Sequence, residues 1–334
     1  MTTRRTRSAS GSVALVGAGA GDPGLLTVRA AEVLGDADLV LADADVPDEV
    51  LRHVGADAEV VRVEPGEAVA PRLVAAAKEG ARAVRLVAGD PLGSASGVRD
   101  AEAVLKGRQR LEVVPGVPAA VAAPAYAGLP LGLPHTVAGG GDADWRALAA
   151  APGSLVLTLP VAEVPKAASA LVEHGRRADT PVTVTVGGTT VAQRTVVTTL
   201  DAVETDLAAA ALAGDAVVVV GEAARRGARM GWYESRALYG WKVLVPRTRD
   251  QAGALSQQLR AHGALPVEVP TIAVEPPRTP APMERAVKGL VTGRYLWVAF
   301  TSTNAVRAVR EKLEEFGLDA RAFAGVKVAA VGDA

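Results

Sequence analysis

The chain has 334 residues, enough for two or more domains; 49% of them are hydrophobic but only 3% aromatic, so its cores are built mainly from Ala, Val and Leu. A formal net charge of -1 leaves no broad basic footprint for nucleic acid or an anionic membrane. The absence of cysteine excludes disulfides, thiol catalysis and cysteine-ligated metals, and it fits a cytoplasmic protein.

Residues 1–11 are small and basic and read as a disordered tail. The apolar run that follows, 13–16, is too short for the core of a signal peptide and leads straight into glycines. No apolar run approaches the ~18–20 residues of a membrane span. Residues 13–16 carry no charge and read as a strand buried on both faces. Gly17, Gly19, Gly21 and Gly24 follow, and Leu25, Leu26, Ala30, Val33 and Leu34 share one face at helical spacing. The order strand, glycine loop, helix puts a ligand site at the carboxyl end of the first strand.

Further along, strands are expected at 38–41, 59–63, 83–88 and 111–114, and helices at 69–79, from 101, and at 119–127. The acidic stretch from Asp43 to Glu49 reads as a solvated loop, with Asp43 singled out because it stands at a strand end. Residues 129–144, rich in Pro and Gly, read as a linker into a second unit. That unit has strands at 154–158, 181–186, 193–199 and 216–220, and helices at 162–173 and 200–212; the period-two pattern of 193–199 marks an antiparallel strand. The basic, aromatic stretch 225–241 reads as a linker whose aromatics dock on their neighbours. A third unit begins at Lys242, with helices at 251–262, 283–290 and 305–316, strands at 242–247, 267–269, 297–300 and 326–331, and proline-rich 276–282.

The chemistry concentrates at strand ends. His53, His135, His174 and His262 lack metal-ligand spacing, and neither a Walker loop nor a Ser-His-Asp order is present. Glycine-rich junctions remain at 17–24, 89–97 and 187–190, with the small-residue turn 115–120. Such loops offer backbone donors and little bulk, which suits a small cofactor between two sheets. Gly19, Gly21 and Gly24 also match G-x-G-x-x-G, with Asp43 near the place of a ribose-binding acid, so an NAD(P)-dependent oxidoreductase is an alternative. Pro23 weighs against it, since it removes a backbone N–H where a pyrophosphate needs a donor.

At these residues the sequence resembles the tetrapyrrole methylases. The resemblance is carried in order by 16–27, 85–91, 113–116, 125–131, 179–182, 188–190 and Gln193-Arg194, and within the family it is similar to uroporphyrinogen-III C-methyltransferase. From about Gly240, residues 243–247 and 300–306 resemble the start of uroporphyrinogen-III synthase, so the whole looks like an actinobacterial-type fusion. The resemblance implies an α/β two-subdomain methylase fold followed by a partial synthase-like α/β unit. Its boundaries are a tail at 1–11, subdomains at 12–128 and 129–224, a linker at 225–241 and the partial synthase-like region at 242–334.

It also implies a reaction: S-adenosyl-L-methionine (SAM) bound between the subdomains gives two methyl groups to uroporphyrinogen III, forming precorrin-2 toward siroheme and cobalamin, without a metal. Carried over by position, the cofactor-binding residues are Ala20, Ala88, Gly89, Asp90, Gly93, Pro118, Ala119, Leu159 and Gly188, and Asp43 is the general base. The sequence departs from the family at Ala20, where the loop proline is expected, at Ala88 for a glycine, at Pro118 for a threonine and at Leu159 for a methionine. The family lysine falls near Pro65, its arginine loop reads 92–96, and its His-Arg reads Leu133-Pro134; Arg99 and Arg72 are the nearest replacement cations. These losses keep open a catalytically weakened SAM-binding or scaffold domain serving the synthase. The expected partner is a tetrapyrrole substrate, with a homodimer as the expected assembly, and neither nucleic acid nor membrane.

Overall fold

Alternate residues along each apolar strand point to opposite sides, and both sides of the first sheet find helices to bury them. The computed structural model describes residues 11–139, 143–246, 249–269, 279 and 281–331. The first sheet takes β1 (Ser12–Gly17), β2 (Leu39–Asp43), β3 (Glu59–Val63), β4 (Arg82–Val87) and β5 (Arg110–Val114), all parallel, in the order β3-β2-β4-β1-β5. Between them run α1 (Val28–Gly35), α2 (Asp48–Leu51), α3 (Ala70–Lys78) and α4 (Ala95–Lys106), with α5 (Ala119–Tyr126) after β5. Val16, Val40 and Leu86 meet Ala30 and Leu34 of α1 on one face. Leu15 and Leu41 meet Leu73 of α3 and Val104 of α4 on the other. Full burial of one such leucine contributes roughly 1.5–3 kcal/mol.

The second sheet is mixed, in the order β6-β7-β10-β8-β9. It comprises β6 (His135–Gly139), β7 (Ser154–Pro160), β8 (Pro181–Val186), β9 (Arg194–Thr199) and β10 (Asp215–Val220). Its helices are α6 (Trp145–Ala150), α7 (Val164–Glu173), α8 (Val203–Ala210) and α9 (Glu222–Met230). Strand β6 is parallel to β7, and every other pairing is antiparallel. The inner face buries Leu157, Val184 and Val218 against Leu171 of α7 and Leu207 of α8. The small residues of α5 join the two halves: Ala120 and Ala123 pack against Val156, Val217 and Val219 of the second sheet.

Among the described residues, one compact unit takes the chain up to Val243 and adds Gln258–Leu265, while the other takes Leu244–Gln257 and the chain from Pro266. The C-terminal elements are β11 (Lys242–Val245), α10 (Arg249–Ala261), β12 (Leu265–Glu268), α11 (Ala281–Val291), β13 (Trp297–Phe300), α12 (Thr303–Glu315) and β14 (Lys327–Ala330). Strands β13 and β14 are parallel partners.

Several local expectations are corrected. Helix α1 starts at Val28, where Thr27 accepts from the Ala30 N–H; Leu25 closes a short 3-10 turn instead. Helix α4 begins at Ala95, capped by Ser94, six residues earlier than its apolar pattern shows. Its Gly97 lies against Pro91, and a Cβ there would sit 1.8 Å from the Pro91 carbonyl oxygen. The stretch read as a linker at 129–144 contains edge strand β6, and the acidic loop runs into α2 at Asp48. The stretch 225–241 begins inside α9, and its Trp232 and Tyr233 pack on Tyr126 with ring centroids 5.2 and 4.7 Å away. Residues 1–10 of the tail, 140–142 of the linker, and 276–278 and 280 of the proline-rich stretch lie outside the described residues. Among those described, no helix is long and apolar enough to cross a membrane.

Candidate active site

The carboxyl ends of β1, β4 and β5 approach one another more closely than side chains would allow. A Cβ on Gly116 would stand 2.1 Å from the Gly89 carbonyl oxygen, and one on Gly17 would stand 2.5 Å from the same atom. Glycine at both positions lets three backbones meet. Gly19 and Gly89 then pair as an isolated antiparallel bridge, with N–H to O distances of 3.2 and 2.8 Å. Both have positive φ, +80° and +74°. Asp90 fastens the assembly: its Oδ1 accepts from the N–H groups of Leu92 and Gly93, both at 3.0 Å, and its Oδ2 accepts from Gly116 at 3.1 Å.

A second set of bonds ties this cluster to the loop after β8. Thr189 Oγ1 accepts from the Asp22 N–H at 3.1 Å and donates to the Ala20 carbonyl at 2.8 Å. The Thr189 N–H donates to Gln193 Oε1 at 2.9 Å, and its carbonyl accepts from the Tyr233 hydroxyl at 2.9 Å. Thr189 is buried and holds φ +69°, a conformation that a β-branched residue keeps only when its surroundings over-determine it. The Tyr126 hydroxyl donates to Asp22 Oδ2 at 2.7 Å. Burial first, then the Asp22 carboxylate beside it, raises the pKa of this phenol, so it stays a donor.

Between the two sets of loops lies a cavity of about 610 Å³, within the size range of small-ligand sites. Six of the expected cofactor residues line it: Ala20, Ala88, Gly89, Ala119, Leu159 and Gly188. Three do not. Asp90 has both oxygens committed to backbone, Gly93 is one of its donors, and Pro118 stands at the N-cap of α5. Gly188 is confined too, since a Cβ there would stand 2.5 Å from that of Ala123. Thr190 of the 187–190 junction lines the cavity too, and so do residues that sequence reasoning passed over: Asp45, Thr158, Thr185 and Asp215. Their hydroxyls and carboxylates carry no motif, and only the folding of two sheets brings them together.

Asp43 is placed differently from expectation. It does not line this cavity but a second hollow, of about 680 Å³, with Pro65, Arg85, Ser96, Arg99 and Asp100. Its Oδ1 accepts from Arg85, and its Oδ2 accepts from the Ala88 N–H at 3.1 Å. Arg85 also donates to Asp100 at 3.1 Å and to the carbonyls of Leu41 and Leu86. Burial pushes the Asp100 carboxyl up, opposed by Arg85. Of the two replacement cations, Arg99 lines the hollow, whereas Arg72 pairs with Glu59 at 2.7 Å at the exposed surface.

The dinucleotide alternative loses its geometry here. A pyrophosphate needs free N–H groups where the glycine loop enters a helix. Instead the Gly24 N–H is taken by Asp22 Oδ1 at 2.7 Å, and α1 opens only at Val28. The sheet order also sets β4 between β1 and β2, which dinucleotide-binding sheets keep adjacent.

A family model described as Tetrapyrrole (Corrin/Porphyrin) Methylases matches residues 12–204, more than half of the chain. The chain belongs to the tetrapyrrole methylase family. A second model, Uroporphyrinogen-III synthase HemD, matches residues 253–334, so a methylase domain is joined to a synthase-like region. The porphyrin biosynthesis protein HemD of Ruminiclostridium josui is 31% identical over 96% of this chain and 68% of its own length. The siroheme synthase of Neisseria meningitidis serogroup A is 36% identical over 70% of this chain. The match spans 51% of that siroheme synthase, about half its length. Among solved structures, the uroporphyrin-III C-methyl transferase of Thermus thermophilus complexed with S-adenyl homocysteine is 30% identical, with TM-score 0.56. It is covered over 99% of its length by 64% of this chain. A cobalt precorrin-4 methyltransferase is 25% identical, with TM-score 0.59, over 64% of this chain and 95% of its own.

Proposed function

We propose that this tetrapyrrole methylase is a SAM-dependent uroporphyrinogen-III C-methyltransferase joined to a uroporphyrinogen-III synthase-like region. One observation carries the reading: the 610 Å³ cavity between two sheets, walled by alanines and glycines, in a chain similar to a methyl transferase solved with S-adenyl homocysteine. The residues present fit SAM. Ala18, Ala20, Ala88 and Gly188 leave room for a flat ring system, and Thr158, Thr185 and Asp215 offer polar handles for hydroxyl and ammonium groups.

When bound, SAM supplies an electrophilic methyl group on a positively charged sulfur. The chain contributes position: the Gly19–Gly89 bridge and the Asp90 clamp fix one wall, and Thr189 locks it to the other. The second hollow, sharing the β2–α2 loop with the cavity, receives the tetrapyrrole. A cytoplasmic setting and a homodimer belong to the same reading; sedimentation of the purified chain tests the dimer.

A second reading, a weakened SAM-binding or scaffold domain, has its own observation. The hollow that would meet an eight-carboxylate substrate presents Asp43, Asp45, Glu64, Glu67 and Asp100 against two arginines. One of these, Arg85, already serves two carboxylates. Titration of the whole chain by calorimetry with SAM, S-adenosylhomocysteine and NAD tests the cofactor assignment. Both sulfur compounds are expected to bind and NAD not. Binding of NAD alone would return the oxidoreductase reading.

A further inference from the structure

We propose that Tyr233 and Glu234 are positioning residues for the cofactor: they set the Thr189 loop that walls its cavity. The proposal rests on the SAM reading of that cavity. Both residues lie in the stretch between the two family matches, which cover 12–204 and 253–334. Neither lines the cavity itself.

The loop needs holding from outside. Gly187, Gly188 and Thr190 line the cavity. Among them Thr189 keeps φ +69°, which a β-branched residue adopts only when its neighbours impose it. Its N–H donates to Gln193 Oε1 at 2.9 Å, and the Gln193 amide nitrogen donates to Glu234 Oε1 at 2.9 Å. A carboxylate only accepts, so Glu234 turns the Gln193 amide with its nitrogen toward itself and its oxygen toward Thr189. Gln193 is 1% exposed, which leaves water little part in setting that orientation.

Glu234 reaches the wall by a second route. The Thr195 hydroxyl donates to the same Glu234 oxygen at 2.5 Å. That uses its one proton, so in the 3.3 Å bond between Thr195 and Thr185 the donor is Thr185. Thr185 also lines the cavity.

Tyr233 acts on the loop directly. Its hydroxyl donates to the Thr189 carbonyl at 2.9 Å. Its ring is buried, with the Arg236 guanidinium 3.6 Å from the ring centroid on one side and Tyr126 beside it. Burial raises the pKa of this phenol, opposed by Arg236, so it stays a donor. The Tyr239 hydroxyl donates to the Gln193 carbonyl. Three side chains of one short segment therefore close on a single turn, each through a hydrogen bond that packing alone would not require.

The test uses the whole chain and calorimetric affinity for SAM and S-adenosylhomocysteine. Melting temperature and deuterium exchange of the Thr189 amide in the ligand-free protein are further readouts. Tyr233→Phe keeps the ring and removes only the donor; Glu234→Leu removes the acceptor, and Glu234→Gln returns one. Affinity for both compounds is expected to fall about fivefold or more in Tyr233→Phe and in Glu234→Leu, and to stay within about threefold in Glu234→Gln. The Thr189 amide should exchange faster in Glu234→Leu, and Glu234→Gln should restore its protection. A loss of affinity below about fivefold in either Tyr233→Phe or Glu234→Leu, from a folded chain, overturns the proposal. So does a loss that Glu234→Gln shares in full, or a Tyr233→Phe chain that no longer folds, because the segment then supports the fold and not the loop. If Glu234→Leu does not fold, Tyr233→Phe decides. An unmutated chain that binds neither compound sinks the SAM reading itself, and this proposal with it.

Discussion

Replacing Arg85 by leucine tests whether the site is assembled around a buried charge cluster. Arg85 is 4% exposed, on the β4 strand in register with Leu15 and Leu41, so its guanidinium lies on an otherwise apolar face. It bonds Asp43, Asp100 and the carbonyls of Leu41 and Leu86. Arg85→Leu keeps the volume roughly but strands two carboxylates. Removing one partner of a buried pair costs about 3–5 kcal/mol, far more than an exposed pair such as Arg177–Asp179 is worth. At about 2–4 °C per kcal/mol for a unit of this size, melting should fall by about 6–20 °C.

The pH dependence has a definite sign. Burial raises the Asp100 pKa and Arg85 lowers it, so losing Arg85 raises it further. A carboxyl whose folded pKa lies above its unfolded value favours folding below the unfolded pKa, and that advantage is lost as pH rises through the folded pKa. The deficit of Arg85→Leu should therefore shrink on going from about pH 8 to about pH 5. Calorimetric melting at both values measures it. A drop below about 2 °C at the higher pH, or a deficit that grows on acidification, would refute the reasoning.

Two further outcomes are expected at the cofactor cavity. Asp90→Ala leaves the N–H groups of Leu92 and Gly116 without their acceptor, while Gly93 keeps the Asp90 carbonyl at 3.1 Å, so SAM affinity should fall about tenfold or more and the Leu92 and Gly116 amides should exchange faster with deuterium; retained affinity and protection would contradict the clamp. Gly188→Val drives a side chain into Ala123 and into the cavity, with an overpacking cost of about 1–3 kcal/mol; calorimetry should find SAM affinity lost while the melting temperature falls modestly, and full affinity would show that the cavity lies elsewhere.

The strands of the two sheets other than β6 were legible as short apolar or period-two runs, and Glu59–Val63 and Pro181–Val186 end where the pattern says. Strand β6 was hidden because it is an edge strand with no buried residue, so it carries no apolar alternation. Helix α4 was read late because Ser94, Ser96 and Gly97 cap and pack its first turn instead of filling a core. The glycine loops of the site could be read because close backbone approach demands glycine, whatever the partner. Asp43 drew notice for standing at a strand end, yet which cavity it faces depends on Arg85, 42 positions away. Asp45 looked like one more solvated acid, since the cavities it lines exist only after folding.

The central claim is tested most directly by incubating the whole chain with methyl-labelled SAM and enzymatically generated uroporphyrinogen III under reducing conditions, then isolating the tetrapyrrole. Label is expected in the macrocycle, rising toward two methyl groups per ring, with S-adenosylhomocysteine formed in equal amount. A tetrapyrrole that carries no label above the chain-free control, from a preparation that binds SAM, would contradict the account.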